Sequence, residues 1–132
     1  MGFFDKFLKA DEDTSKTPKK SIDWLEVKKV NDVETILETS KRQTAIVFKH
    51  STRCPVSRMA LNRFEAEADF DNSQVAFFFL DLIQYREVSN LIAEKFQVTH
   101  QSPQIIILQN QKIIGHFSHH EIQAEVVADL IN

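Results

Sequence analysis

The chain contains one cysteine, Cys54, and its surroundings are suited to thiol chemistry. It follows the apolar segment Thr44–Phe48, which is typical of a strand buried on both faces, and it precedes Pro55, whose fixed φ suits the first position of a helix. We therefore expect Cys54 at the N-cap, with its sulfur toward the free N–H groups near Ser57 and the positive end of the helix dipole. Both features favour the reactive thiolate. An inert buried cysteine is the alternative, but Cys54 lies at a turn beside Arg53.

The motif Cys-Pro-Val-Ser indicates chemistry with a single thiol. Ser57 stands at the fourth position, where a Cys-x-x-Cys motif has its second cysteine. A serine cannot form a disulfide, so any second thiol must come from another molecule. We expect Ser57 either to cap the helix or to donate a hydrogen bond toward the sulfur of Cys54.

The residues around Cys54 are strongly basic. The segment Thr39–Phe64 has six basic residues and no acidic one, although the whole chain has a net charge of −3. The six are Lys41, Arg42, Lys49, Arg53, Arg58 and Arg63. Such an excess favours a thiolate and attracts anionic small molecules, with Arg53 and Lys49 as the first candidates for binding them. Taken one by one, most of these residues also fit an ordinary solvent-facing role.

A second motif, Ser102-Pro103, directly precedes the predicted strand Gln104–Leu108. A proline at the start of a strand can follow a cis peptide bond, which exposes neighbouring backbone groups for pairing with a substrate. The sequence by itself leaves open whether this bond is cis or trans.

The elements that must position these motifs alternate along the chain. Apolar runs and helical periodicity predict the order β-α-β-α-β-α-β-β-α, an α/β fold with a mixed central sheet flanked by helices. The first helix is predicted to begin with a capping box formed by Asn31 and Glu34. The last is predicted to run from His120 to Ile131. A loop over 109–111 is predicted to join the last two strands as a hairpin. The helix after Cys54 is predicted to bury Val56, Ala60, Phe64 and Ala68.

Composition limits the possible function classes. A chain of 132 residues fits one domain, which we predict over 21–132, after a flexible tail over 1–20 whose phenylalanines could touch a partner or a membrane. The negative net charge argues against nucleic-acid binding, and no apolar run approaches the length of a transmembrane segment. A single cysteine excludes an internal disulfide framework and a multi-cysteine zinc site. The late histidines His116, His119 and His120 have no clear metal-ligand spacing.

The two motifs together resemble those of the monothiol bacilliredoxins, a family of the thioredoxin-like superfamily. The resemblance rests on Phe48–Ser57 (FKHSTRCPVS) and His100–Gln104 (HQSPQ) and extends from about Ile22 to Ile131. It implies a thioredoxin-like fold and a cytoplasmic oxidoreductase that removes bacillithiol from protein mixed disulfides. It also implies no metal and no tightly bound cofactor, with bacillithiol as a dissociable co-substrate.

The resemblance also implies roles for individual residues. Cys54 would be the nucleophile, Pro103 a cis-proline facing it, and Ser102 a source of backbone contacts to the substrate. Bacillithiol carries the two carboxylates of malate, which suits the basic residues. The predicted site therefore has Cys54 as its catalytic residue, and its substrate-binding residues are Lys49, Arg53, Pro55, Ser57, His100, Ser102 and Pro103. His100 and Gln101 match the family pattern without an assigned role.

Some alternatives remain open at this stage. Thioredoxins proper have a buried carboxylate on the strand before the active site, whereas Thr44–His50 has none, so proton transfer would fall to His50, to solvent or to no particular group. The small thiol could also be glutathione or coenzyme A, which are anionic too. The protein could instead be a thioredoxin-fold adaptor with an idle Cys54, or a thiol sensor without turnover.

Overall fold

A computed structural model describes residues 21–131, in which five strands and four α-helices follow the predicted order. The strands are β1 (Trp24–Glu26), β2 (Thr44–His50), β3 (Val75–Asp81), β4 (Gln104–Gln109) and β5 (Lys112–Ser118). The helices are α1 (Val30–Thr39), α2 (Pro55–Glu67), α3 (Arg86–Phe96) and α4 (Ala124–Ile131), with a 3₁₀ turn at His119–Glu121. The predicted tail over 1–20 lies outside the described residues.

The strands form one mixed sheet in the order β1-β3-β2-β4-β5. Strands β1, β3 and β2 are parallel because a helix connects each strand to the next along the chain, whereas β4 and β5 are antiparallel to their neighbours. No helix within residues 21–131 is long and apolar enough to cross a membrane. The predicted mixed sheet is confirmed.

Each face of the sheet carries its own hydrophobic core because side chains alternate along β2. Ala45 and Val47 pack with residues of α1 and α3, and Ile46 and Phe48 pack with residues of α2 and α4. This alternation decides where the two residues after Phe48 point. Lys49 lies on the α1/α3 face, and His50 lies on the α2 face.

The starts of two helices differ from the predictions. Helix α1 begins after Lys29, and the Asp32 carboxylate accepts the backbone N–H groups of Lys28 and Lys29 (2.8 and 2.9 Å), so the predicted Asn31–Glu34 capping box is wrong. The last helix begins only at Ala124 because the 3₁₀ turn precedes it.

The β4–β5 hairpin is tighter than predicted, with two loop residues in place of three. Asn110 and Gln111 have φ values of 55° and 67°, as a type I′ turn requires. The Asn110 N–H donates to the backbone carbonyl of Ser40 (2.6 Å), and the Gln111 N–H donates to the hydroxyl of Ser40 (2.8 Å). These two bonds hold the turn against the end of α1.

Helix α2 buries the predicted stripe except in its first turn. Its buried residues are Ser57, Ala60 and Phe64, and Ala68 is buried directly after it. Val56 is 52% exposed, so its predicted place in the core is wrong. In the first turn Ser57, and not Val56, faces inward, and its hydroxyl bonds to the end of β2.

Candidate active site

The two sequence motifs lie at the same edge of the sheet. Strands β2 and β3 end together, with His50 beside Asp81, and the chain then enters the loop that contains Cys54. Strand β4 is antiparallel to β2, and the pairing of Lys49 with Gln104 sets the start of β4 at this edge. Ser102–Pro103, directly before β4, therefore lies beside the end of β2. Open α/β sheets commonly place ligands at the carboxyl ends of their strands.

Cys54 occupies the N-cap of α2, as predicted, with Pro55 at the first helical position. Its backbone is extended (φ −110°, ψ 117°), and its side chain is half-buried. Its carbonyl accepts the N–H of Arg58 (3.1 Å), which begins the helix. The sulfur makes no capping hydrogen bond, so the expected bond to an N–H group near Ser57 is not formed. The half-buried thiol is therefore held at the positive end of α2 by backbone geometry.

Ser57 bonds to the end of β2 instead of to the sulfur. Its hydroxyl accepts the N–H of Ser51 (3.0 Å) and lies 2.8 Å from Nδ1 of His50. With Ser51 as a donor, the hydroxyl can either donate its proton to Nδ1 of His50 or accept a proton from it, according to the tautomer of the imidazole. Neither role expected for Ser57, as a cap or as a donor to the thiol, is observed. The serine instead joins the first turn of α2 to β2.

His50 is a buried imidazole in an aromatic environment. Its ring centroid lies 5.5 Å from that of Phe79 and 6.5 Å from that of Phe48. Burial lowers the pKa of His50; the charges of Asp81 and Glu65 raise it in part, and that of Arg58 lowers it further. The neutral form therefore dominates at pH 7, which suits a proton acceptor. Its role in proton transfer remains a prediction.

The Ser102–Pro103 peptide bond is cis, the isomer that the resemblance implied. Pro103 is buried, and its carbonyl accepts the N–H of His119 (3.1 Å). Ser102 is half-buried, and its backbone N–H and C=O make no hydrogen bond within residues 21–131. The backbone of Ser102 therefore has the pairing capacity that a bound extended segment would need.

The predicted concentration of positive charge at Cys54 is only partly present. Lys41 and Arg42 lie at the opposite edge of the sheet, before β2, and Lys41 pairs with Glu38 (3.0 Å). Arg63 is two turns along α2 and donates to the carbonyl of Ile122 (3.0 Å). Two of the six, Arg53 and Arg58, are exposed beside Cys54.

Lys49 is buried and does not present its ammonium group at the surface beside Cys54, and its predicted role in binding an anionic substrate remains a prediction. It is 0% exposed, on the α1/α3 face of the sheet, and its Nζ has no hydrogen-bond partner within residues 21–131. Burial, aided by the charge of Arg86, lowers the pKa of Lys49 to about 8. Arg86 and Gln104 are neighbours of Lys49 that no sequence pattern indicates, because only strand register and the packing of α3 bring them there.

This buried lysine predicts an unusual dependence of stability on pH. Unfolded lysine titrates near about 10.4, so between about pH 8 and that value the folded state binds fewer protons than the unfolded state. The free energy of unfolding should therefore rise with pH in this window, by up to about 3 kcal/mol. Denaturant titrations of the wild type and Lys49→Met at about pH 7 and about pH 10 measure it. We expect K49M to be more stable at neutral pH and to lack this rise; an identical rise in both proteins would contradict the prediction.

His100 is half-buried near Lys49. Burial lowers the pKa of His100, and the charges of Lys49 and Arg86 lower it further. Its Nδ1 has no partner within the described residues. Within residues 21–131, no group of three or more His, Cys, Asp or Glu side chains is arranged to hold a metal ion.

Comparison with known proteins agrees with this architecture. A family model described as monothiol bacilliredoxin BrxC matches residues 25–127. A solved structure described as a candidate oxidoreductase with a thioredoxin fold is 25% identical and superposes with a TM-score of 0.71, covering 83% of this chain and 94% of that chain. The thioredoxin of Trypanosoma brucei brucei is 17% identical with a TM-score of 0.64, covering 89% of this chain and 95% of its own. The thioredoxin of Malassezia sympodialis is 14% identical with a TM-score of 0.65 and the same two coverages. The predicted thioredoxin-like fold is confirmed.

Proposed function

Because this chain belongs to the monothiol bacilliredoxin family, whose members are thioredoxin-fold oxidoreductases, we propose that it removes bacillithiol, or a similar small thiol, from protein mixed disulfides. Cys54 is the nucleophile in this proposal. The observation that carries it is the position of Cys54: the only cysteine of the chain lies at the N-cap of α2, at the sheet edge that also carries the cis Ser102–Pro103 bond. We assign the reaction to the cytoplasm, where protein thiols are kept reduced.

The reaction consists of two exchanges that conserve atoms and electrons. The Cys54 thiolate attacks the bacillithiol sulfur of the modified protein, a new disulfide forms between Cys54 and bacillithiol, and the protein thiolate leaves and takes up a proton. A second bacillithiol thiolate then attacks the bacillithiol sulfur held on Cys54. This step releases bacillithiol disulfide and restores the Cys54 thiolate. The second thiol is external because serine stands at the fourth motif position.

Three features around Cys54 support the exchange. The N-terminus of α2 contributes a positive potential at the sulfur, and Arg53 and Arg58 are exposed nearby to attract an anionic thiol. The Ser102 backbone has an unused N–H and C=O for an extended protein segment. Val56 and Met59, 52% and 67% exposed on the first turns of α2, add an apolar contact for a protein substrate.

We assign His50 as a proton acceptor near this edge of the sheet. It is neutral at pH 7 because burial lowers its pKa, and its Nδ1 lies 2.8 Å from the Ser57 hydroxyl. In the proposed reaction Ser57 fixes the orientation of the imidazole, and His50 exchanges the proton. Neither residue contacts the substrate. The leaving protein thiolate takes its proton from solvent.

The proposal is tested by following the small thiol with intact-mass spectrometry. Reduced wild-type protein and Cys54→Ser are each mixed with a model protein that carries a bacillithiol mixed disulfide, and in parallel with one that carries glutathione. We expect the adduct to move to the wild type and not to C54S, and we expect bacillithiol to move faster than glutathione. Added bacillithiol should then release the adduct and restore reduced Cys54.

Two other results would point to the alternative functions. If neither adduct moves while an alkylating reagent labels Cys54, the exchange proposal fails and an adaptor role gains support. If the adduct moves to Cys54 but excess thiol does not release it, the protein acts as a thiol sensor.

A further inference from the structure

Four buried polar atoms without hydrogen-bond partners lie in one region beside the cis Ser102–Pro103 bond. They are Nζ of Lys49, Nδ1 of His100, Oγ of Ser102 and Oε1 of Gln104. Lys49 and Gln104 are paired directly across β2 and β4, so their side chains lie on the same face of the sheet. The Gln104 side chain donates through Nε2 to the carbonyl of Thr99 (2.9 Å), which holds the 99–103 segment close to Lys49. We call this region, with the neighbouring Arg86, the Lys49 pocket.

The Lys49 pocket is basic. The charge of Arg86, the first residue of α3, lowers the pKa of both Lys49 and His100, and Lys49 acts on His100 in the same direction. For both groups, the charged neighbours that shift the pKa are cations. A buried ammonium group without an anion or a hydrogen-bond acceptor opposes folding. An arrangement that lowers the stability of the folded protein is typical of a functional site, such as one that binds a ligand.

The donors of the Lys49 pocket suit an oxygen anion such as a carboxylate. Lys49 has three N–H donors, and the Ser102 hydroxyl has one O–H donor. The guanidinium of Arg86 adds a planar group of N–H donors whose geometry matches a carboxylate. His100 donates from Nδ1 in one of its tautomers. Gln104 contributes Oε1, an acceptor that lies on the same face of the sheet as Lys49 but is not bonded to its ammonium group. A carboxylate would therefore satisfy the unpartnered donors together.

The residues of the Lys49 pocket differ in their exposure to solvent. Arg86 is exposed, and His100 and Ser102 are half-buried, whereas Lys49 and Gln104 form the buried floor. The pocket lies on the α1/α3 face, and Cys54 begins α2 on the other face at the same sheet edge. A small thiol bonded to Cys54 would pass over the Ser102–Pro103 segment to bring its acidic end to the pocket.

We propose that the Lys49 pocket binds the carboxylate end of the small thiol while its sulfur is bonded to Cys54. This inference rests on the proposed thiol exchange and adds to it a source of selectivity for dicarboxylate thiols such as bacillithiol. It assigns the recognition of carboxylates to Lys49, Arg86 and His100, two of which are far from Cys54 in sequence.

Binding can be measured without any thiol chemistry. The Cys54→Ser protein is titrated with L-malate, the acid present in bacillithiol, and amide chemical shifts are followed by NMR. We expect saturable shifts around Lys49 and His100, and an affinity lower by roughly tenfold or more when Lys49→Met is added, because a charge-assisted hydrogen bond is lost. Lys41→Met, which removes a lysine at the opposite edge, serves as the matched control and should leave the affinity unchanged. Absence of saturable shifts with unaltered Lys49 would overturn the inference.

Selectivity is measured by transfer of two thiols from the same model protein. One sample carries mercaptosuccinate, a dicarboxylate thiol, and the other carries 2-mercaptoethanol, which is neutral. We expect Lys49→Met to lower the rate for mercaptosuccinate by roughly tenfold or more relative to the rate for 2-mercaptoethanol. An equal loss for both thiols would overturn the inference, since it would indicate a structural role. If the wild type moves neither thiol, the proposed function fails, and the malate titration alone decides whether the pocket binds carboxylates.

Discussion

Replacing Ser57 by cysteine is expected to change the end product of the reaction from a mixed disulfide on Cys54 to an internal disulfide. Ser57 is the third residue of α2, one turn from the N-cap Cys54, so the two Cα atoms are about 5–6 Å apart, within the range that a disulfide spans. The new thiolate would attack the Cys54 sulfur of the adduct and release the small thiol. The adduct on Cys54 should then fall to a trace of the wild-type amount.

Intact-mass spectrometry after a single turnover distinguishes the two products, because the internal disulfide lacks two hydrogens and the adduct adds the mass of the small thiol. Ser57→Ala is the matched control: it also loses the bonds to Ser51 and His50, but it cannot resolve the adduct. If Ser57→Cys retains the adduct to the same extent as Ser57→Ala, the side chain at this position is not accessible to Cys54 and the prediction is wrong.

Replacing Phe64 by alanine is expected to lower the free energy of unfolding by about 3–5 kcal/mol. Phe64 is fully buried, and its ring centroid lies 6.1 Å from those of Phe48 and Phe70 and 6.4 Å from that of Phe77. Removal of the ring leaves a cavity between α2 and the sheet, and the aromatic contacts are lost together. Because α2 begins at Cys54, the same change should also loosen the position of the thiol.

Urea denaturation measures this effect through the transition midpoint and the slope. Met59→Ala is the matched control, since Met59 lies on the same helix but is 67% exposed, and it should change stability by about 0.5 kcal/mol or less. A loss below about 1 kcal/mol for Phe64→Ala would mean that the core closes around the missing ring. Phe64→Leu retains part of the buried volume, so its loss of unfolding free energy is expected to lie between those of Met59→Ala and Phe64→Ala.

The local features of this protein were predictable from sequence because neighbouring residues determine them. The apolar run Thr44–Phe48 predicts a buried strand, and the structure extends it to His50. Cys54 is at the N-cap of α2 because proline is accepted at the first helical position and disfavoured inside a helix. The order of strands and helices, and hence the mixed sheet, follows from hydrophobic periodicity in the same way. The position of the single thiol at a strand end was therefore available from sequence.

The surroundings of that thiol depended on tertiary structure. The inward direction of Ser57 and the exposure of Val56 result from the contact between α2 and β2, which a helical pattern leaves uncertain by one residue. The six basic residues are close in sequence but lie at both edges and on both faces of the sheet. They lie at both edges because β2 runs from one edge to the other, and on both faces because successive side chains of a strand point to opposite faces. The Lys49 pocket arises from the β2–β4 register and the start of α3, which bring together residues up to 55 positions apart, from Lys49 to Gln104. Sequence determined the elements and the reactive thiol; only the packing of the sheet decided which charges and polar groups surround them, because those contacts join residues that are distant along the chain.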